Sequence, residues 1–212
     1  MSLRPAGTFV LRILFILLLA IAAAAQPDPR DRWQRPQEVM DALGVQPGSR
    51  VADIGAGEGY FTWHLAERVG LHGRVYATDI DKRLISNLRA DAKRKRFPQV
   101  EVVLGVPDDP YLPTGEIDAA LVVNAYHEFR QHEAMLRGIL NALRPGGKLA
   151  IIDKEAEPGQ GRSQYYSAHR IPKRLVRTEA ESAGFRYVEE CPGFTRPDDQ
   201  SRWYFLLFEK PQ

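Results

Sequence analysis

Cysteine is nearly absent. The 212 residues hold one, Cys191, which excludes an internal disulfide and a thiolate metal centre. No apolar run is long enough to cross a bilayer comfortably. The longest, residues 13–25, would rise about 20 Å as a helix against a hydrocarbon core of about 30 Å. Repeats and low-complexity stretches are missing as well. Charge of one sign is not in real surplus: the net +2 comes from Arg4 and Arg12, in a segment of 25 residues without an acid. Beyond it 27 basic residues meet 27 acidic ones, so the sequence pI of 8.7 is no argument for nucleic acid. With 44% hydrophobic residues, the remainder suits one globular domain with a sizeable core.

The first 25 residues read as an address. Two arginines precede the apolar run, which closes on four alanines before a polar, Pro-rich stretch. That order predicts a secretory signal peptide cleaved after Ala25. An uncleaved anchor is the alternative. No paired arginines precede the run, so a twin-arginine signal is lacking. The expected organisation is a signal peptide over 1–25, a linker over 26–35 and one domain over 36–212.

That domain alternates strand and helix. Helices are predicted over 35–43, 60–69, 82–95, 132–143 and 172–183. Strands are predicted over 50–54, 74–79, 100–104, 117–124 and 148–153, with two late ones over 185–189 and 203–208. Residues 105–116 and 154–169 read as loops. The pattern gives an α/β fold with a doubly wound, mostly parallel sheet covered on both faces.

The most informative segment is Val51-Ala52-Asp53-Ile54-Gly55-Ala56-Gly57-Glu58-Gly59, where a strand meets a helix. Glycines there allow a tight turn and close approach of backbone to a ligand, beside a helix N-terminus. A dinucleotide fingerprint requires Gly-x-Gly-x-x-Gly. Here the third glycine comes one residue early, which disfavours a Rossmann dehydrogenase. Asp53 would repel a pyrophosphate and suits a ligand bearing positive charge. Asp79 ends the second strand, where a carboxylate can accept from both hydroxyls of a ribose. The plainer readings are that Asp53 caps a turn and Asp79 N-caps the next helix.

These residues resemble class I methyltransferases that use S-adenosylmethionine, over about 36–209. Residues 51–62 are similar to that family's first motif and Tyr76-Ala77-Thr78-Asp79 to its second. The resemblance implies S-adenosyl-L-methionine as cofactor, with Asp53 and the backbone of Gly55, Gly57 and Gly59 at its methionine end. It places Asp79 on the ribose, Ile80 on the adenine, and Asp108 or Asp109 at the adenine amine. Asn124 stands where similar small-molecule enzymes often carry an acid, and it joins the cofactor-binding set. Leu143-Arg144-Pro145-Gly146-Gly147 matches the family's turn before strand five, and the family's sheet has seven strands with an antiparallel final hairpin.

Strand four runs into Tyr126, His127 and Glu128 at the sheet edge where doubly wound folds bind ligands. Tyr126 and His127 are expected to line the acceptor pocket, with His127 as a proton acceptor; the alternative is that His127 only begins a helix. No metal is expected, because His127 and His132 are one residue too far apart for the His-Glu-x-x-His zinc motif. Tyr165, Tyr166, His169 and Arg170 are candidates to cap that pocket. Seven basic residues between Lys82 and Arg96 read as a solvated helix face, with RNA binding as the alternative. The function read from the residues and the resemblance is methyl transfer to a small molecule. A non-catalytic S-adenosylmethionine-binding module and an RNA methyltransferase are its rivals. Export, the membrane touched only through the N-terminal segment, is the expected location. The cofactor is a cytoplasmic metabolite in this family, so a membrane tether facing the cytoplasm is the alternative.

Overall fold

The computed structural model describes residues 28–193 and 202–212. The chain divides into two units, 1–32 and 33–212. Of the first, residues 28–32 are described, and there the Asp28 carboxylate accepts the backbone N–H of Arg30 at 2.8 Å. The expected signal peptide lies outside the described residues. Among the described residues no helix is long and apolar enough to cross a membrane.

The second unit opens with α1 (Pro36–Leu43), β1 (Arg50–Ile54), α2 (Tyr60–Val69), β2 (Arg74–Asp79), α3 (Lys82–Lys95) and β3 (Val100–Leu104). It continues with β4 (Ile117–Val123), a 3₁₀ turn (Tyr126–Glu128), α4 (His132–Ala142) and β5 (Leu143–Lys154). Helices α5 (Arg162–Ala168) and α6 (Lys173–Ser182) precede β6 (Arg186–Glu190) and β7 (Trp203–Glu209). The seven strands form one sheet in the order β3-β2-β1-β4-β5-β7-β6. The first five are parallel; β7 pairs antiparallel to both β5 and β6.

The sheet is buried on both faces, and its strands alternate between two cores. Val51, Ala119, Leu121, Phe205 and Leu207 pack with α1 and α2 on one face. Ala52, Ala120, Val122, Leu206 and Phe208 pack with α4 and α6 on the other. Double burial is why these strands read as continuous apolar runs. Helix α3 buries Ile85, Leu88 and Ala92 and turns its basic residues outward, as a solvated face should.

A short helix, Asp31–Gln34, lies in the stretch expected to be a linker, and helix α5 and strand β5 also depart from expectation. Helix α5 lies inside the stretch read as a loop. It is short, and Tyr165 is its one buried residue, so no helical period could build up; Gln164 secures its start by accepting the N–H of Gly161 at 2.8 Å. Strand β5 begins five residues earlier than expected. The Arg-Pro-Gly-Gly stretch is drawn out as strand, with Leu143 opposite Ile117 and Gly146 donating to the Lys210 carbonyl at 2.9 Å.

Leu136 on α4 is fully buried in the second core, whereas Leu71 is 74% exposed. Leu136→Ala is expected to cost about 2–5 kcal/mol, and Leu71→Ala less than about 0.5 kcal/mol. Urea unfolding of the two variants checks the pair.

Candidate functional site

Strand order reverses between β1 and β4, and the carboxyl ends of both strands open on one crevice, the usual ligand position of doubly wound sheets. The crevice is a cavity of about 620 Å³, within the ordinary range for small-molecule sites. Gly55, Gly57, Asp79, Ile80, Pro107, Asn124 and Glu128 are among the residues lining it.

The glycine loop forms one wall. Gly55 has φ +72, and a Cβ there would lie 2.6 Å from that of Ala125, so the loop can sit against the end of β4 only without a side chain. Gly55 and Ala56 both donate to the Thr78 carbonyl, which ties the loop to β2. Gly59 is placed differently from expectation. It does not line the cavity but begins α2 at φ +84, with Trp63 and Leu88 where its Cβ would stand.

Asp53 is 3% exposed and sits behind the loop rather than on the cavity wall. Burial is the main reason its carboxyl rises to about 6. The Thr62 hydroxyl, donating at 2.6 Å, works against that rise, and the Asp79 charge adds to it. Asp79 is held by two amides. Gly57 donates to Oδ2 at 3.0 Å and Asp81 to Oδ1 at 2.9 Å. The cap of α3 is Asp81, which accepts from the amides of Arg83 and Leu84. Asp79 is therefore not a helix cap. Each of its oxygens keeps a second lone-pair direction, and both belong to a residue on the cavity wall. Ile80 follows it, 57% exposed, as an apolar shelf.

The other end of the cavity departs further from the sequence reading. Gly105, Val106, Pro107 and Pro110 line it; Asp108 and Asp109 do not. Both are exposed, and Asp109 Oδ1 accepts the Tyr111 amide at 2.7 Å. Asn124 lines the cavity in a left-handed conformation, φ 52. Past that reversal the Tyr126 side chain turns into the core instead of the pocket, and its hydroxyl donates to Glu179 at 2.7 Å. Arg162 and His132 pair with the same carboxylate, so His132 is committed away from His127.

His127 is 1% exposed and does not line the cavity either. Its Nδ1 lies 2.9 and 3.0 Å from the two oxygens of Asp153, a residue fully buried at the end of β5. Burial opposes a charge on this ring, but Asp153 and Glu128 outweigh it and raise His127 to about 9. At that value the ring favours a proton at neutral pH rather than standing as a vacant proton acceptor, and the residue lies within the 3₁₀ turn Tyr126–Glu128. Glu128, the neighbour that does line the cavity, is held below its usual value chiefly by His127. Of the proposed cap, Tyr166 lines the cavity and His169 packs edge-on against His127. Tyr165 is buried, and its hydroxyl accepts the Gln160 amide at 3.0 Å. Asp153 escaped the sequence reading, because an acid closing an apolar strand announces no partner 26 residues away.

Residues 51–147 match the model of a family described as a methyltransferase domain. The ubiquinone/menaquinone biosynthesis C-methyltransferase UbiE of Vibrio parahaemolyticus is 28% identical over 165 residues, which cover 74% of this chain and 62% of that protein. The protein of the same name from Yersinia pestis is 29% identical over 164 residues, covering 74% and 64%. The chain thus spans less than two thirds of the length of these curated relatives. Among solved structures, a SAM dependent methyltransferase from Aquifex aeolicus superposes with a TM-score of 0.73 at 23% identity, over 86% of this chain and 93% of that one. Haemonchus contortus phosphoethanolamine N-methyltransferase 2, in complex with S-adenosyl-L-methionine, gives 0.68 at 16%, over 85% and 53%. These likenesses are of fold.

The raised Asp53 has a sign that stability measurements can read. Its folded value lies above the unfolded one, so ionising it costs stability, fully above about pH 6 and not at all below about pH 4. Asp53→Asn is expected to gain on the order of 3 kcal/mol at pH 7.5, shrinking to about half at pH 5. Chemical denaturation at both pH values checks this; a gain that does not change with pH contradicts it.

Proposed function

Because the chain belongs to the class I S-adenosylmethionine-dependent methyltransferases, we propose that it transfers the methyl group of that cofactor to a small-molecule acceptor. The observation that carries the reading is Asp79. Its carboxylate is oriented by two backbone amides at the edge of the cavity, with Ile80 exposed beside it. A rigid acceptor pair next to an apolar shelf suits a ribose and the base attached to it.

The cavity fits the cofactor in charge as well as size. Asp53 and Asp79 set negative charge around the glycine loop, which favours a ligand carrying an ammonium and a sulfonium. The amides of the loop, with the cavity-facing Gly57, take the methionine end. The adenine lies between Ile80 and the 105–107 segment. Asp109 already serves the Tyr111 amide and Asp108 stands off the cavity, so the base edge is assigned to backbone groups of that segment instead. When bound, the cofactor supplies an electrophilic methyl on sulfur.

What the protein adds is position. Phe129, Met135 and Tyr166, which line the same cavity as Asn124 and Glu128, hold an acceptor and keep water from it. In-line displacement at a sulfonium gains most from alignment and desolvation, so no general base is assigned, and Tyr126 and His127 receive no direct role in the transfer. The relatives' names specify carbon methylation in quinone biosynthesis. The acceptor assigned to this chain is the broader class of small molecules. Separately, we propose that residues 1–25 act as an export signal.

Asp79→Ala is expected to weaken S-adenosylmethionine binding by about 1.5–3 kcal/mol, roughly 10- to 150-fold, in calorimetry at fixed ionic strength. Unchanged affinity would place the ribose elsewhere. Cofactor binding without turnover of any small molecule favours a binding module, and turnover on RNA with steep salt dependence favours a nucleic-acid acceptor. Intact-mass measurement of the native protein is expected to find a chain beginning near Gln26; a full-length mass contradicts the export signal.

A further inference from the structure

Beside the cavity, three side chains bring their ligand atoms together. His127 Nε2 lies 3.4 Å from His169 Nδ1 and 3.6 Å from Glu128 Oε1. His169 Nδ1 lies 3.8 Å from the same Glu128 oxygen. Two atoms that ligate one zinc-sized ion at about 2.0–2.2 Å, near the tetrahedral angle, are about 3.3–3.6 Å apart. The triangle therefore has nearly the dimensions of a single ion's ligand set.

A second, independent observation concerns what stands behind it. Asp153 is fully buried and gives both oxygens to His127 Nδ1, while Oδ2 also accepts the His127 backbone N–H at 3.1 Å. Lys154 donates its amide to Oδ1 at 2.7 Å, which fixes the carboxylate in turn. A carboxylate holding the far nitrogen of an imidazole is the usual outer partner of a metal-bound histidine, fixing the tautomer and aiming the ring. The remaining nitrogen, Nε2, points at His169 and Glu128.

His169 adds a backbone oddity. It ends α5 at φ 50, a left-handed position usually filled by glycine or asparagine. The side chain carried there is spent on this cluster.

We propose that His127 Nε2, His169 Nδ1 and Glu128 bind one divalent cation of the zinc type, with Asp153 as the positioning residue. Two imidazoles and a carboxylate with an open fourth position suit zinc. His169 and Glu128 are both more than half exposed, which leaves the ion a way in. On binding, the ion replaces the Nε2 proton, which passes to solvent. Glu128 also lines the cavity, so the open position can take an oxygen or nitrogen of a ligand there. That this ligand is the methyl acceptor rests on the methyl-transfer reading; the ion site itself does not.

The test uses the full chain, stripped with a chelator and titrated with Zn²⁺ against a chromophoric competitor, with Co²⁺ as a spectroscopic stand-in. One ion per chain is expected, with the strong visible bands of four-coordinate Co²⁺. Asp153→Asn is expected to weaken Zn²⁺ by about 10- to 100-fold. His169→Asn, which suits the left-handed backbone, is expected to weaken it further and to abolish the Co²⁺ bands. Failure to take up stoichiometric Zn²⁺, or an unchanged affinity in His169→Asn, overturns the proposal. Cofactor calorimetry on the same samples separates the two readings. Cofactor binding with no Zn²⁺ uptake overturns the ion site alone. Zn²⁺ uptake by a chain that binds no cofactor supports the ion site and overturns the methyl-transfer reading.

Discussion

Both faces of the sheet are sealed. Ala119 and Leu121 pack to one side of β4, Ala120 and Val122 to the other, and the neighbouring strands do the same. Polar side chains pointing from such strands would lose water without gaining partners, so the chemistry is pushed to the strand ends. The reversal of strand order between β1 and β4 then decides which end, because only there do two neighbouring connections leave to opposite faces and open a crevice. Loop, carboxylates and cavity all follow from that constraint.

Three acids stand at or one residue before the ends of three strands there, and their surroundings make them different groups. Asp53, at β1, is buried under the glycine loop with Thr62. Asp79, at β2, is bound by amides and stays on the cavity wall. Asp153, at β5, is buried against His127. Burial is what sets Asp53 apart, raising its carboxyl; the amides of Gly57 and Asp81 orient Asp79, and the imidazole of His127 faces both oxygens of Asp153. Identical side chains at equivalent topological positions thus serve unlike purposes.

This explains what the sequence could and could not tell. Local order was legible: the bounds of β1, α2, β2, α3 and β3 are those read from apolar periodicity, and the early third glycine already disfavoured a dinucleotide. Strand ends gave Asp79 its place. What stayed hidden depended on distance or on one dihedral. Asp153 meets His127 only through the packing of β5 beside β4. Tyr126 turns into the core because Asn124 adopts φ 52, which redirects the next side chains and gives the cavity Glu128 instead. Asp108 and Asp109 lay in a loop whose turn consumed one of them. The short α5 brought His169 to His127 without any periodic signal.

The placement of β7 has a consequence for how the chain reaches this state. β7 follows β6 in sequence yet lies between β5 and β6, and it is the strand to which each of them bonds on that side of the sheet. Until β7 arrives, β6 has no strand to pair with and β5 presents an open edge, the kind of surface that invites association with other chains. The parallel half can collapse around β1 and β4, but the sheet closes last, by insertion rather than by addition at its rim. Until β7 is delivered, the edge of β5 lies open to strands of other chains.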